Sequence, residues 1–123
     1  MRGYSAYRQV QGTVQTNRDM EFRLLGQVTG ALIRARDGEG TMQDRYNAVL
    51  WNEKVWDAFF CDLSEPGNHL PDTLKNNLIQ LAHWVTRETR LAIEDESLSL
   101  ESLVTVNREI MEGLKSQPAM AAG

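Results

Sequence analysis

The sequence predicts an all-α fold: a four-helix, antiparallel, bundle-like single domain with an N-terminal arm or short helix. Three observations predict it. Apolar residues recur at helical spacing over four long stretches. Cap-type residues such as Thr16, Thr41 and Ser99 stand at the head of three of them. The connections are short, which favours antiparallel neighbours, and strand alternation is scarce. A length of 123 residues suits one domain able to bury its own core. The expected division is an arm over 1–15, a bundle over 16–115 and a tail over 116–123.

In the arm, Tyr4, Tyr7, Val10 and Val14 fall at helical spacing, although Gly12 intervenes and no cap precedes them. The first long helix is expected over 17–36. Thr16 and Asp19 form a capping-box-like start, and Met20, Leu24, Val28, Ala31, Leu32 and Ala35 form the inward stripe. The glycines of "DGEG" end it. Thr41 and Asp44 repeat the cap for a second helix over 42–63. Pro71 has the fixed φ that suits the first position of a third helix, over 71–94, with Leu74, Leu78, Leu81, Ala82 and Val85 facing inward. "EDESLS" breaks it, and Ser99 caps a fourth helix over 100–114.

Between the second and third helices lies "DLSEPGNHLP". Its residue types read as corner chemistry. Asp62 and Leu63 close one helix, while Pro66 fixes a φ and Gly67 frees one. Asn68 is placed for an Asx-type bond, Leu70 packs under the corner and Pro71 opens the next helix.

Three features exceed a minimal bundle. Apolar residues cover about two thirds of the second helix, against an apolar stripe of roughly 100° for an ordinary surface helix. Either this helix is central and packed on several sides, or one face stays open to another protein. In the first helix, Gly26 and Gly30 stand one turn apart, with Phe22 and Ile33 close to the same side. Two interior glycines cost about 1 kcal/mol each relative to alanine, which points to a close approach by the chain itself or by a partner. In the fourth helix Asn107 falls inside the apolar face, where a buried amide needs hydrogen-bond partners across the bundle and can fix helix register. The candidate partner-binding residues are Phe22, Gly26, Gly30, Ile33, Trp51, Val55 and Phe59.

Charge and chemistry narrow the function. A net charge of -4 with dispersed arginines argues against direct nucleic-acid binding. One cysteine, Cys61, forbids an internal disulfide, and neither a secretory signal nor a membrane span is legible, so the expected location is the cytoplasm. Cys61, His69 and His83 fit no zinc spacing, and no phosphate-binding or nucleophile motif occurs. The expectation is a non-enzymatic protein without metal or cofactor.

The order of motifs resembles one family. "YSAYRQV" is followed by "MEFRLLGQVTGALIRA", then "LWNEKVWDAFFCDLSEPGNHLPDTLKNNLIQLAHWV", then "LESLVTVNREIMEGL". This is similar to the FlaF family of flagellar biosynthesis regulators. The matching positions are Leu50, Trp51, Asp62, Leu63, Pro66, Asn68, Leu70 and Pro71, then Asn107, Arg108, Gly113 and Leu114. Departures are minor: Gly67 and His69 within the corner, and Val106 before Asn107. The resemblance implies a regulator that promotes flagellin synthesis and secretion. Flagellin is the implied partner, held as by an export chaperone, and the translational repressor FlbT is a second. The alternatives are action through FlbT or flagellin mRNA, and a homodimeric structural module.

Overall fold

The structure, a computed structural model, describes residues 20–115. The arm, the Thr16 and Asp19 start and the tail lie outside the described residues. Four helices account for the described chain: α1 over 20–36, α2 over Met42–Ser64, α3 over Asp72–Glu94 and α4 over Glu101–Lys115. No strand occurs among the described residues.

Local chemistry sets each boundary. At the end of α1, Gly38 takes φ +78°. Its N–H donates to Ala35 O at 3.1 Å, and Glu39 N–H donates to Arg34 O at 2.8 Å. This is the paired arrangement that closes a helix through a left-handed residue. Gly40 follows at φ +85°. Thr41 and Asp44 then form a full capping box: Asp44 N–H donates to Thr41 Oγ1 at 3.1 Å, and Thr41 N–H donates to Asp44 Oδ2 at 2.8 Å. That carboxylate fills the space beside Gly40, where an added Cβ would stand 2.6 Å from Asp44 Oδ2.

The corner after α2 is built on Asn68. Its Oδ1 accepts from Leu70 N–H at 3.1 Å, and its Nδ2 donates to Asp62 O at 3.2 Å. Its own carbonyl accepts from Lys75 Nζ at 3.1 Å. Pro71 differs from expectation. It is the cap of α3, with ψ 142°, and its carbonyl accepts from Lys75 N–H at 2.9 Å. The helix proper begins at Asp72. The extended ψ keeps the proline just outside the helix. Ser99 Oγ accepts from Glu101 N–H at 3.1 Å at the head of α4.

The helices run up, down, up, down. Arg45, early in α2, donates to Ala92 O, late in α3, whereas Phe60, late in α2, meets His83 edge-on at 5.4 Å. Arg36 at the end of α1 pairs with Glu101 at the start of α4 at 2.9 Å. Thr29 and Asn107 meet midway. The main core takes Leu32 from α1, Ala48, Val49 and Trp56 from α2, Ala82, Val85 and Ala92 from α3, and Leu103 and Val104 from α4. The helix α2 is therefore central. A smaller cluster joins Leu25 and Val28 to Val55, with Trp51, Phe59, Ile110 and Met111 packed against it.

The helix α1 is rotated from the expected stripe. Its buried residues are Leu25, Val28, Thr29 and Leu32, while Met20 is 51% exposed and Leu24, Ala31 and Ala35 are only half-buried. At 100° per residue the packed face is turned by roughly 80° from the expected one. The reason is polar. Thr29 is drawn inward because its hydroxyl donates to Leu25 O at 2.6 Å and accepts from Asn107 Nδ2 at 3.1 Å. The turn leaves Met20 exposed, while Leu24 packs half-buried against the smaller cluster and Ala31 and Ala35 against the edge of the main core.

Candidate functional site

Ala31 and Ala35, at the edge of the main core, form one wall of an open cleft of about 560 Å³ between α1 and α2. The volume falls within the range of ordinary ligand pockets, roughly 300–1,000 Å³. Ala31 and Ala35 of α1 and Ala48 and Trp51 of α2 supply its apolar surface. Arg34, Glu39, Asp44 and Asn47 stand around it. Alanines leave room because they end at Cβ. Trp51 rises as a half-buried side of the cleft, its base packed on the smaller cluster.

The structure separates the candidate residues. Trp51 lines the cleft. Gly30 lies next to it on α1, where an added Cβ would meet only Arg34 Nη1, at 3.7 Å. Phe22, 37% exposed, and the exposed Gly26 lie on the opposite flank of α1 from Ala31 and Ala35. A Cβ on Gly26 would meet Met111 Sδ at 3.9 Å, an ordinary contact, so no close internal approach accounts for either glycine. Ile33 packs against the main core and Phe59 against the smaller one. Val55 is 5% exposed beneath Leu25 and Val28, so it supports the cleft from inside and offers no surface. Its i, i+4 spacing from Trp51 and Phe59 places all three on one side of α2, but the spacing does not say which of them α1 covers. Ala31, Ala35 and Ala48 were missing from the candidates. For Ala31 and Ala35 the signal is their small size in a stripe that otherwise holds Met, Leu and Val.

Behind the cleft sits a buried polar cluster. Asn107 is fully buried. Its Oδ1 accepts from Trp56 Nε1 at 2.9 Å, and its Nδ2 donates to Asn52 Oδ1 at 2.7 Å and to Thr29 Oγ1. One amide thus joins α1, α2 and α4. Asn52 Nδ2 and Thr89 Oγ1 are buried without a hydrogen-bond partner among the described residues.

Among the described residues no group of three or more His, Cys, Asp or Glu is placed to hold a metal ion. Cys61 is exposed, and its neighbour in sequence Asp62 belongs to the corner, not to a site. Among the described residues no helix is long and apolar enough to cross a membrane.

The fold and the cleft define a small helical bundle with an open groove between α1 and α2. The sequence places it more narrowly: the family model for the flagellar protein FlaF matches residues 4–114, and the chain belongs to that family. Comparison with curated proteins and with solved structures gives no match. Family membership carries a flagellum-related role.

Proposed function

We propose that the protein is a non-enzymatic binding protein of flagellum biogenesis that holds an amphipathic helix of flagellin in the α1–α2 cleft, and by doing so promotes flagellin synthesis and secretion in the cytoplasm. The observation that supports this reading is the open groove in which the half-buried Ala31 and Ala35 of α1 and Trp51 of α2 line one cleft. A helix laid there covers the half-buried Ala31, Ala35 and Trp51 with its own larger side chains; Ala48, at 4% exposure, adds almost no surface. Arg34, Glu39 and Asp44 at the rim supply orientation more than affinity.

Calorimetry with purified flagellin tests it. Trp51→Ala removes an apolar wall and is expected to weaken binding at least tenfold, with helical content retained. Because Trp51 also packs on the smaller cluster, Asn47→Arg is the companion: Asn47 is an exposed cleft residue, and a bulky cation there is expected to weaken binding without lowering stability. Wild-type protein that does not bind flagellin, or variants that bind it undiminished, would sink the reading.

A second reading, action through FlbT, would place that contact on a separate surface. Met42, Tyr46 and Ile93 are exposed together where the start of α2 meets the end of α3, around Arg45 and Glu96. Tyr46→Glu is expected to abolish a binary complex with FlbT and to leave flagellin binding intact. Loss of both together would argue for one shared surface.

A further inference from the structure

The charged residues around the cleft are sorted by sign along its length. Arg34 is exposed, and its guanidinium lies back over Gly30, where an added Cβ would meet Nη1 at 3.7 Å. The positive charge therefore sits a turn toward the start of α1. Glu39 and Asp44 stand at the other end, where α1 stops and α2 begins. Among the described residues no ion pair joins Arg34 to either carboxylate, and the nearby Arg36 takes Asp37 and Glu101 instead.

The two helices give the separation independently. From Gly30 to Arg36, the last residue of α1, the rise is about 9 Å at 1.5 Å per residue; from Asp44 to Trp51 on α2 it is about 10 Å. Because α1 and α2 run antiparallel, Trp51 and the Arg34 guanidinium share one end of the cleft and the two carboxylates the other. A gap of about 10 Å exceeds the screening length of about 8 Å at physiological ionic strength, so an occupant meets two separate fields of opposite sign. A helix covers that gap in about seven residues, a step that returns its side chains to the same face.

We propose that the cleft reads the polarity of its partner: it selects a helix whose apolar stripe is flanked by one basic and one acidic residue about seven positions apart. The base meets Glu39 and Asp44, and the acid meets Arg34 beside Trp51. This rests on the cleft being the flagellin site, and adds the charge pattern and orientation of the segment held there. A helix of uniform charge is attracted at one end and repelled at the other.

Arg34→Glu and Glu39→Lys test it in calorimetric titrations with flagellin. Both residues are exposed, and neither change touches the capping box of Thr41 and Asp44. An exposed ion pair contributes a few-fold to affinity, and reversal puts a repulsion of similar size in its place. Each variant is therefore expected to bind about tenfold more weakly, with the loss shrinking in high salt. One variant weaker and the other tighter would indicate a partner of uniform charge and overturn the proposal, as would no change in either. Both results leave the flagellin reading standing, because binding itself persists. Synthetic helices decide the proposal without flagellin. Three peptides share one apolar stripe and carry Lys and Glu, two Lys, or two Glu at flanking positions seven apart. The Lys and Glu peptide is expected to bind the wild-type protein about tenfold more tightly than either like-charged one. Equal binding by all three, or by none, would overturn the proposal. Wild-type protein that binds the peptides in the expected order but not flagellin would sink the flagellin reading alone.

Discussion

Asn107→Ala is expected to destabilise the bundle far more than an ordinary polar-to-alanine change. The amide makes three hydrogen bonds, all to buried partners. Its removal leaves Trp56 Nε1 and Asn52 Oδ1 unpaired, and Asn52 Nδ2 already lacks a partner. Thr29 loses less, because its hydroxyl still donates to Leu25 O. Each newly orphaned buried group costs about 1–3 kcal/mol. Two of them, with the small void left by the amide, give about 3–5 kcal/mol, a large fraction of a typical folding stability of about 5–15 kcal/mol. For a domain of this size that corresponds to a fall in Tm on the order of 10–20 °C. Urea denaturation followed by far-UV circular dichroism measures it. The double variant with Trp56→Phe tests the cause. Phenylalanine removes the indole N–H that Asn107→Ala strands, so the two changes together should cost less than their sum by about 1 kcal/mol or more. A loss below about 1 kcal/mol for Asn107→Ala, or strict additivity with Trp56→Phe, would refute the argument that the cluster acts as a unit.

Four further outcomes are expected. Gly40→Ala should cost about 2–3 kcal/mol, since it strains a positive φ and displaces the Asp44 carboxylate, whereas Gly38→Ala should cost about 1 kcal/mol, having the φ but no neighbour within 4 Å; thermal melts of the pair compare them directly. Asn68→Ala should lower stability by about 1 kcal/mol in chemical denaturation and leave flagellin affinity unchanged. Thr89→Val should be neutral or stabilising by up to about 1 kcal/mol, because its hydroxyl is buried without a partner and the methyl is of similar shape; a clear loss in the same assay would show that the hydroxyl is bonded. The Asp95 carboxyl is held below its ordinary pKa first by the hydroxyl of Ser97 and then by its backbone N–H. Its depressed value adds stability that is present above the unfolded pKa and lost as pH falls through the folded one. In an NMR titration Ser97→Ala should move the Asp95 carboxyl upward toward its ordinary value.

The fold was legible wherever a side chain acts on its own neighbourhood. Thr41 and Asp44 announce a helix start because both partners of the capping box lie within four residues. The Asn68 corner is legible for the same reason. What the sequence hides is choice between faces. The first helix carries apolar residues over more of its circumference than the core covers. The deciding contact, Thr29 to Asn107, spans 78 residues and leaves no local trace. The expected stripe therefore included Met20 and passed over Leu25. The same ambiguity scattered the candidate site. Trp51 and Val55 lie on one side of α2, but Val55 is buried within the cluster of Leu25 and Val28, whereas Trp51 only packs against it and stays half-exposed. Gly26 and Gly30 were conspicuous, yet neither has a close internal neighbour.

Arg45 ties the chain together over a longer range. Its guanidinium donates to Leu98 O at 2.9 Å and, at 3.4 Å, to Ala92 O and Asp95 O. These carbonyls belong to the end of α3 and the turn into α4, 47 to 53 residues downstream. The last corner of the fold is thus held by a group from its first half. Synthesis runs from the N-terminus, so Arg45 is already in the chain 47 to 53 residues before the carbonyls it holds are added. A fragment carrying α3 and α4 alone would have to close the same corner with water in place of Arg45.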